Sequence, residues 1–135
     1  MDTALRYALQ PTQECVCSSL RRASRAMTQH FEKHFKGSGL RSTQFTVLST
    51  IAQAGPQPIT RLADVLSLER TALGRAVRPL AHRGLVKIVS EGDARERIVS
   101  ITAEGRATLH ELLPRWQAAQ RGSRAVLKKL SLPAS

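Results

Sequence analysis

The stretch that most restricts the fold is residues 69–101. ERTALGRAVRPLAHR is followed by Gly84 and then by two short apolar runs, LVKIV at 85–89 and IVSI at 98–101, set around a charged link, EGDARER. In the first part Leu73, Ala76, Val77 and Leu80 repeat at helical spacing, so one stripe faces a core. Arg70, Thr71, Gly74, Arg75 and Arg78 fall on or beside the opposite face. Gly84 stops this helix. Two apolar runs joined by a polar, glycine-containing link read as a β-hairpin with a longer loop. A helix that must bury one stripe and carry a hairpin at its end has few folds open to it.

The rest of the chain supplies the partners for that stripe. Over 13–36, Cys17, Leu20, Met27, Phe31 and Phe35 recur at helical spacing, and Gly37-Ser38-Gly39 closes the helix. Ser42 is placed to cap a second helix bearing Phe45, Leu48 and Ile51, ended by Gly55-Pro56. Thr60 is placed to cap a short third, RLADVL. A Ser67-Leu68 turn leads from it into the arginine-bearing helix. Beyond the hairpin, Thr102 caps a helix with Leu109, Leu112, Leu113 and Trp116 on one face. A bend is predicted at Pro114 and a break at Arg121-Gly122-Ser123, before a last short helix over 125–130. Two helices joined by a tight turn, the second with arginines outward, form a helix-turn-helix, and the hairpin after it is a wing. The expected fold is mainly α with a small β-hairpin wing. It is one domain, 1–135: a winged helix-turn-helix region at 42–102 between terminal helices at 13–36 and 103–130.

Charge then says what such a module meets. Lys and Arg number 21 against 10 Asp and Glu, a formal +11 with pI near 11.2, and 16 of the cations are Arg. Arginine's planar fork suits phosphates and base edges, so double-stranded DNA is the expected partner. A hydrophobic share of 41% excludes a disordered basic tail. No apolar run approaches the roughly 18–20 residues of a membrane span. MDTALRYALQPTQ lacks the basic and apolar regions of a signal peptide. A cytoplasmic protein with no membrane partner is expected. No Gly-rich phosphate loop, metal triad or nucleophile elbow is present, so neither an enzyme nor a cofactor is expected.

Particular DNA contacts follow from position. Arg70, Arg75 and Arg78 can reach guanine edges or phosphates, and Thr71 a thymine methyl or a phosphate. Thr60, at a helix N-terminus, is an expected phosphate anchor. Alone, EGDARER is an ordinary solvated tip; behind a helix-turn-helix in so basic a chain it reads as a DNA contact. Arg95 would enter the neighbouring minor groove with Asp93 bracing its guanidinium, and Arg97 stands beside them.

These segments resemble the MarR family of winged-helix transcription regulators. The resemblance rests on LRSTQFTVLSTIA at 40–52, ITRLADVLSLERTALGRAVRPLAHRGLV at 59–86 and GDARERIVSITAEGR at 92–106. In the last, Asp93 and Arg95 match the family's Asp-x-Arg. Ile101-Thr102 stands for Leu-Thr, and Gly105-Arg106 completes the pattern. CSSLRRASRAMTQHFEKHF is similar to the first helix of a proteobacterial branch, so the likeness covers roughly residues 15–120. It implies that the first and last helices of two chains intertwine. The homodimer would repress transcription on a near-palindromic operator. Release would come from a small acidic or aromatic effector bound between those helices and the DNA-binding region, or from thiol oxidation. Ala72 and Gly74 stand where the family often has polar residues, which thins base readout. The alternative is therefore an architectural protein that binds DNA without regard to sequence.

Cys15 and Cys17 form no disulfide framework, since i and i+2 on a helix point about 200° apart. His30 and His34 lie roughly 20 Å further along the same helix, so no metal site is expected. Aligning ASRAMT at 23–28 places Cys17 at the reactive thiol of the peroxide-sensing OhrR branch, which makes it a candidate redox sensor. Arg21 is placed to lower its pKa. That branch's tyrosines, however, are replaced by Arg21, Phe31 and Ser42. The plainer alternative is a small apolar residue in a dimer interface.

Overall fold

The computed structural model describes residues 2–90, 92, 96–130 and 132. Helix α1 (Thr3–Leu9) and a 3-10 turn (Gln10–Glu14) precede α2 (Val16–Phe35). The expected helix from residue 13 thus starts later. Cys15 is extended, with ψ 117°, and serves as the N-cap of α2.

Helix α3 is Ser42–Ala54, and here the expected cap moves. Ser42 is the first helical residue and Arg41 the N-cap, its N–H donating to Gln44 Oε1 at 2.9 Å. Ser42 uses its own N–H (2.8 Å) and hydroxyl to donate to Glu32 Oε1 of α2. A carboxylate from another helix therefore serves the N-terminus of α3. Thr60 is displaced in the same way. It lies inside α4 (Ile59–Val65), whose N-cap is Pro58. Helix α5 (Arg70–His82) follows, capped by Glu69.

Strands β2 (Val86–Ser90) and β3 (Arg97–Ile101) form the expected hairpin, Val86 facing Ile101 and Ser90 facing Arg97. A third strand, β1 (Gln57–Pro58), adds to the other side of β3 with Gln57 opposite Val99. Two residues carry no alternation to read, and proline fits because β1 is an edge strand that can spare an N–H.

Helix α6 (Ala103–Lys129) runs unbroken through Gly122, where a break is expected from sequence. The helix is held there by α2: His30 Nε2 lies 2.8 Å from the Ala119 carbonyl. Pro114 is exposed, as is His110 one turn back, so water can serve the carbonyl that proline leaves without a helical partner. The start of α6 is bolted to the hairpin. Thr102 Oγ1 accepts from Gly105 N (3.0 Å) and donates to the Gly84 carbonyl (2.6 Å). A Cβ on Gly105 would stand 2.1 Å from the Leu85 carbonyl oxygen. The Thr-x-x-Gly spacing is therefore a close-approach device.

The core gathers Phe35 of α2, Leu48 and Ile51 of α3, Leu62 of α4, Leu73 and Leu80 of α5, Val99 of β3 and Leu112 of α6. No described helix is long and apolar enough to cross a membrane.

Candidate nucleic-acid interface

Helix α5 buries Leu73, Ala76, Val77 and Leu80 and exposes Arg70, Thr71, Arg75 and Arg78. The turn before it places Ser67 at φ 52°, tight enough to set α4 and α5 as a helix-turn-helix. At 3.6 residues per turn, Thr71, Arg75 and Arg78 cluster within about 60° on the helix surface, opposite the buried stripe. That convex face is what a major groove admits.

Two clefts flank it. The first, about 230 Å³, is lined by Thr60, Arg70, Arg78 and Arg97, together with Gly74 and Glu96. Four of the expected contact residues, from α4, α5 and β3, thus meet on the wing side. The second, about 620 Å³, lies on the other side, where Arg75 meets Arg41, Thr43 and Gln44 of the α3 start. Arg75 and Thr71 are not brought to the first cleft. Asp93 and Arg95 lie outside the described residues. No spacing in the sequence marks Arg41, which lies upstream of the helix-turn-helix, and only the packing of α3 on α5 brings it there. Ala72 is exposed and Gly74 half-buried on α5, so neither adds a hydrogen-bonding side chain to the face.

A further cleft, about 360 Å³, opens between the long helices α2 and α6, the start of α3 and the turn before α5, lined by Met27, Phe31, Ser42, Thr46, Leu68 and Trp116. Trp116 serves two surfaces, since it also packs on the core. Both cysteines are exposed at the start of α2, and Arg21 Nη2 lies 3.9 Å from Cys17 Sγ. His30 contacts the Ala119 carbonyl and His34 Nδ1 the His30 carbonyl at 3.0 Å, so these rings join helix backbones. Among the described residues, no group of three His, Cys, Asp or Glu could hold a metal.

The fold and its arginine-faced helix define a winged helix-turn-helix module. Residues 40–96 match the model of the MarR family. The HTH-type transcriptional regulator MhqR of Bacillus subtilis (strain 168) is 30% identical over 96 residues, 70% of this chain and 66% of that protein. The chain therefore spans just under two thirds of that relative. The crystal structure of the M. tuberculosis transcriptional regulator MosR in complex with DNA is similar with TM-score 0.74 and 35% identity, over 83% of this chain and 82% of that one. A probable transcriptional regulator from Pseudomonas aeruginosa gives TM-score 0.67 and 29% identity, over 84% and 83%. The chain belongs to the MarR family, a family of DNA-binding transcription regulators and not of enzymes.

Proposed function

We propose that the protein is a cytoplasmic homodimeric repressor of a near-palindromic operator. The observation that carries the reading is the convergence of Thr60, Arg70, Arg78 and Arg97 from three elements into one cleft beside α5. Convergent cations beside a groove-sized helix fix its register on phosphates while the outward residues read base edges. On this reading Thr71 and Arg75 enter the groove, and Asp93 and Arg95 at the wing tip serve the adjacent minor groove. Dimerisation through the 13–36 and 103–130 helices is supported by Val16, Leu20 and Leu127, all exposed on those helices, and Leu5 and Leu9 are exposed on α1 ahead of them.

The cleft beside Trp116 supports release by a small aromatic or acidic effector: Met27, Phe31 and Leu68 supply apolar walls, and Ser42 and Thr46 supply hydroxyls. It touches both the long helices and α3, so a ligand that prefers one arrangement shifts the spacing of the two recognition helices. Cys17, exposed with Arg21 beside its sulfur, is the thiol through which oxidation would act.

Selection from a random duplex library at near-physiological salt tests the reading. A near-palindrome with half-sites about one helical turn apart supports it. A motif-free pool with steep salt dependence supports the architectural alternative, which the thin Ala72 and Gly74 positions favour. On the selected duplex, Arg78→Ala should cost about 1–3 kcal/mol of binding, measured by titration.

A further inference from the structure

We infer that Arg41, just ahead of α3, is a DNA-phosphate contact on the groove wall opposite the wing. This rests on the DNA-binding reading of α5 and extends it to a second strand. The residues of α5 that line the wing-side cleft are Arg70, Gly74, Val77 and Arg78; those that line the other are Ala72, Arg75, Ala76 and Pro79. At 3.6 residues per turn these two sets lie about 165° apart around the helix, with the exposed Thr71, Arg75 and Arg78 direction between them. A major groove is about 12 Å wide, and a helix with its side chains fills about 10–12 Å. A helix seated there therefore brings each flanking cleft against a different phosphate backbone. The wing-side cleft holds Thr60, Arg70, Arg78 and Arg97 for one wall. Arg41 and Arg75 are the cations of the cleft that faces the other.

Arg41 is held in register with α5 by two tethers. Gln44, whose Oε1 accepts the Arg41 N–H at 2.9 Å, donates through Nε2 to the Ala76 carbonyl of α5 at 3.4 Å. Arg83, just past the end of α5, donates to the Gly39 carbonyl at 2.6 Å, and Gly39 turns the chain at φ +83°. Residues 39–44 therefore move with α5. Arg41 contributes charge, while Arg83 is a positioning residue that acts through the loop.

The test is titration of the selected duplex and of a scrambled duplex with wild type, Arg41→Ala, Arg41→Lys, Arg83→Ala and the Arg41→Ala/Arg83→Ala double variant across a salt series. Arg41→Ala should weaken both duplexes by about tenfold and reduce the salt slope by about 1 for each protomer bound, as loss of one phosphate contact per protomer does. Arg41→Lys should recover most of the affinity. Ethylation of a phosphate on the strand away from the wing should impair wild type but not Arg41→Ala. Arg83→Ala should weaken binding in the wild-type background and add nothing to Arg41→Ala. Unchanged affinity and slope in a folded Arg41→Ala protein overturn the inference, as does an ethylation pattern that the substitution leaves intact. Additive losses overturn the role of Arg83. Failure of wild type to bind any duplex overturns the DNA reading itself, an outcome distinct from these.

Discussion

The DNA-binding region and the terminal helices are built to different standards of closure. In the first, Val47, Leu48, Ile51, Leu73, Leu80 and Val99 are all 0% exposed, drawn from α3, α5 and β3, which share one core. In the second, α2 is 20 residues long and buries only Ser19 and Phe35, while Leu20 is 53% and Leu127 54% exposed. One chain satisfies the apolar stripes of α3 and α5 by itself. It leaves those of α1, α2 and the end of α6 partly in water. The closed core takes in Phe35 of α2 and Leu112 of α6, so the inner parts of those helices belong to one body with it, whereas their outer stretches keep apolar side chains in water.

The largest effect expected tests the finished side. Leu48→Ala, in the middle of α3, should cost about 2–5 kcal/mol in urea denaturation, because the surrounding interdigitated core cannot collapse onto the cavity. A loss below about 1 kcal/mol would mean that this core is no better closed than the terminal helices. Next come two glycines of α6, one where it is bolted to the hairpin and one near its far end. Gly105→Ala drives a Cβ to 2.1 Å from the Leu85 backbone oxygen and 2.7 Å from Ile101 Cγ1, and neither the hairpin base nor the start of α6 can step aside. It should cost about 1–3 kcal/mol, or more if the strands separate. Gly122→Ala meets only a side chain, His30 Cε1 at 2.9 Å. A ring shift that loosens the His30 contact with the Ala119 carbonyl, worth about 0.5–1.5 kcal/mol, offsets a gain in helix propensity of about 1 kcal/mol and should leave it within about 1 kcal/mol of wild type. Comparable losses at both glycines, measured by thermal unfolding, would erase the distinction between the bolted start of α6 and its far end.

Periodicity made the same division legible unevenly. The stripes of α3 and α5, the hairpin and the Thr102 cap could be read because each is a local repeat or a local bond. Ser42 and Thr60 misled as caps because the partners that settle those helix starts are remote or conformational: Glu32 from α2, and the fixed φ of Pro58. The break expected at Arg121-Gly122-Ser123 followed glycine's poor propensity, which the contact with His30 overrides. At the interface, the arginines of α5 were visible as a face. That Thr60, Arg70, Arg78 and Arg97 share one cleft, while Arg75 shares another with Arg41, depends on the packing of α3, α4 and β3. No spacing in the sequence encodes that pairing.

The smallest expected effect on the fold sharpens the comparison most. Leu20 stands on the unfinished face of α2, half in water, so Leu20→Ser removes little that a single chain buries. At high dilution it should change unfolding free energy by less than about 0.5 kcal/mol, the range of ordinary surface substitutions. If two chains cover that face, wild type should unfold at higher temperature as protein concentration rises, and Leu20→Ser should flatten that dependence while remaining folded. The operator then distinguishes the regions a second time. Loss of dimerisation weakens binding to two half-sites far more than to one, because the second half-site is no longer engaged at high effective concentration. Equal weakening on whole and half operators, with the concentration dependence intact, would place Leu20 outside the contact between chains and return that face to solvent.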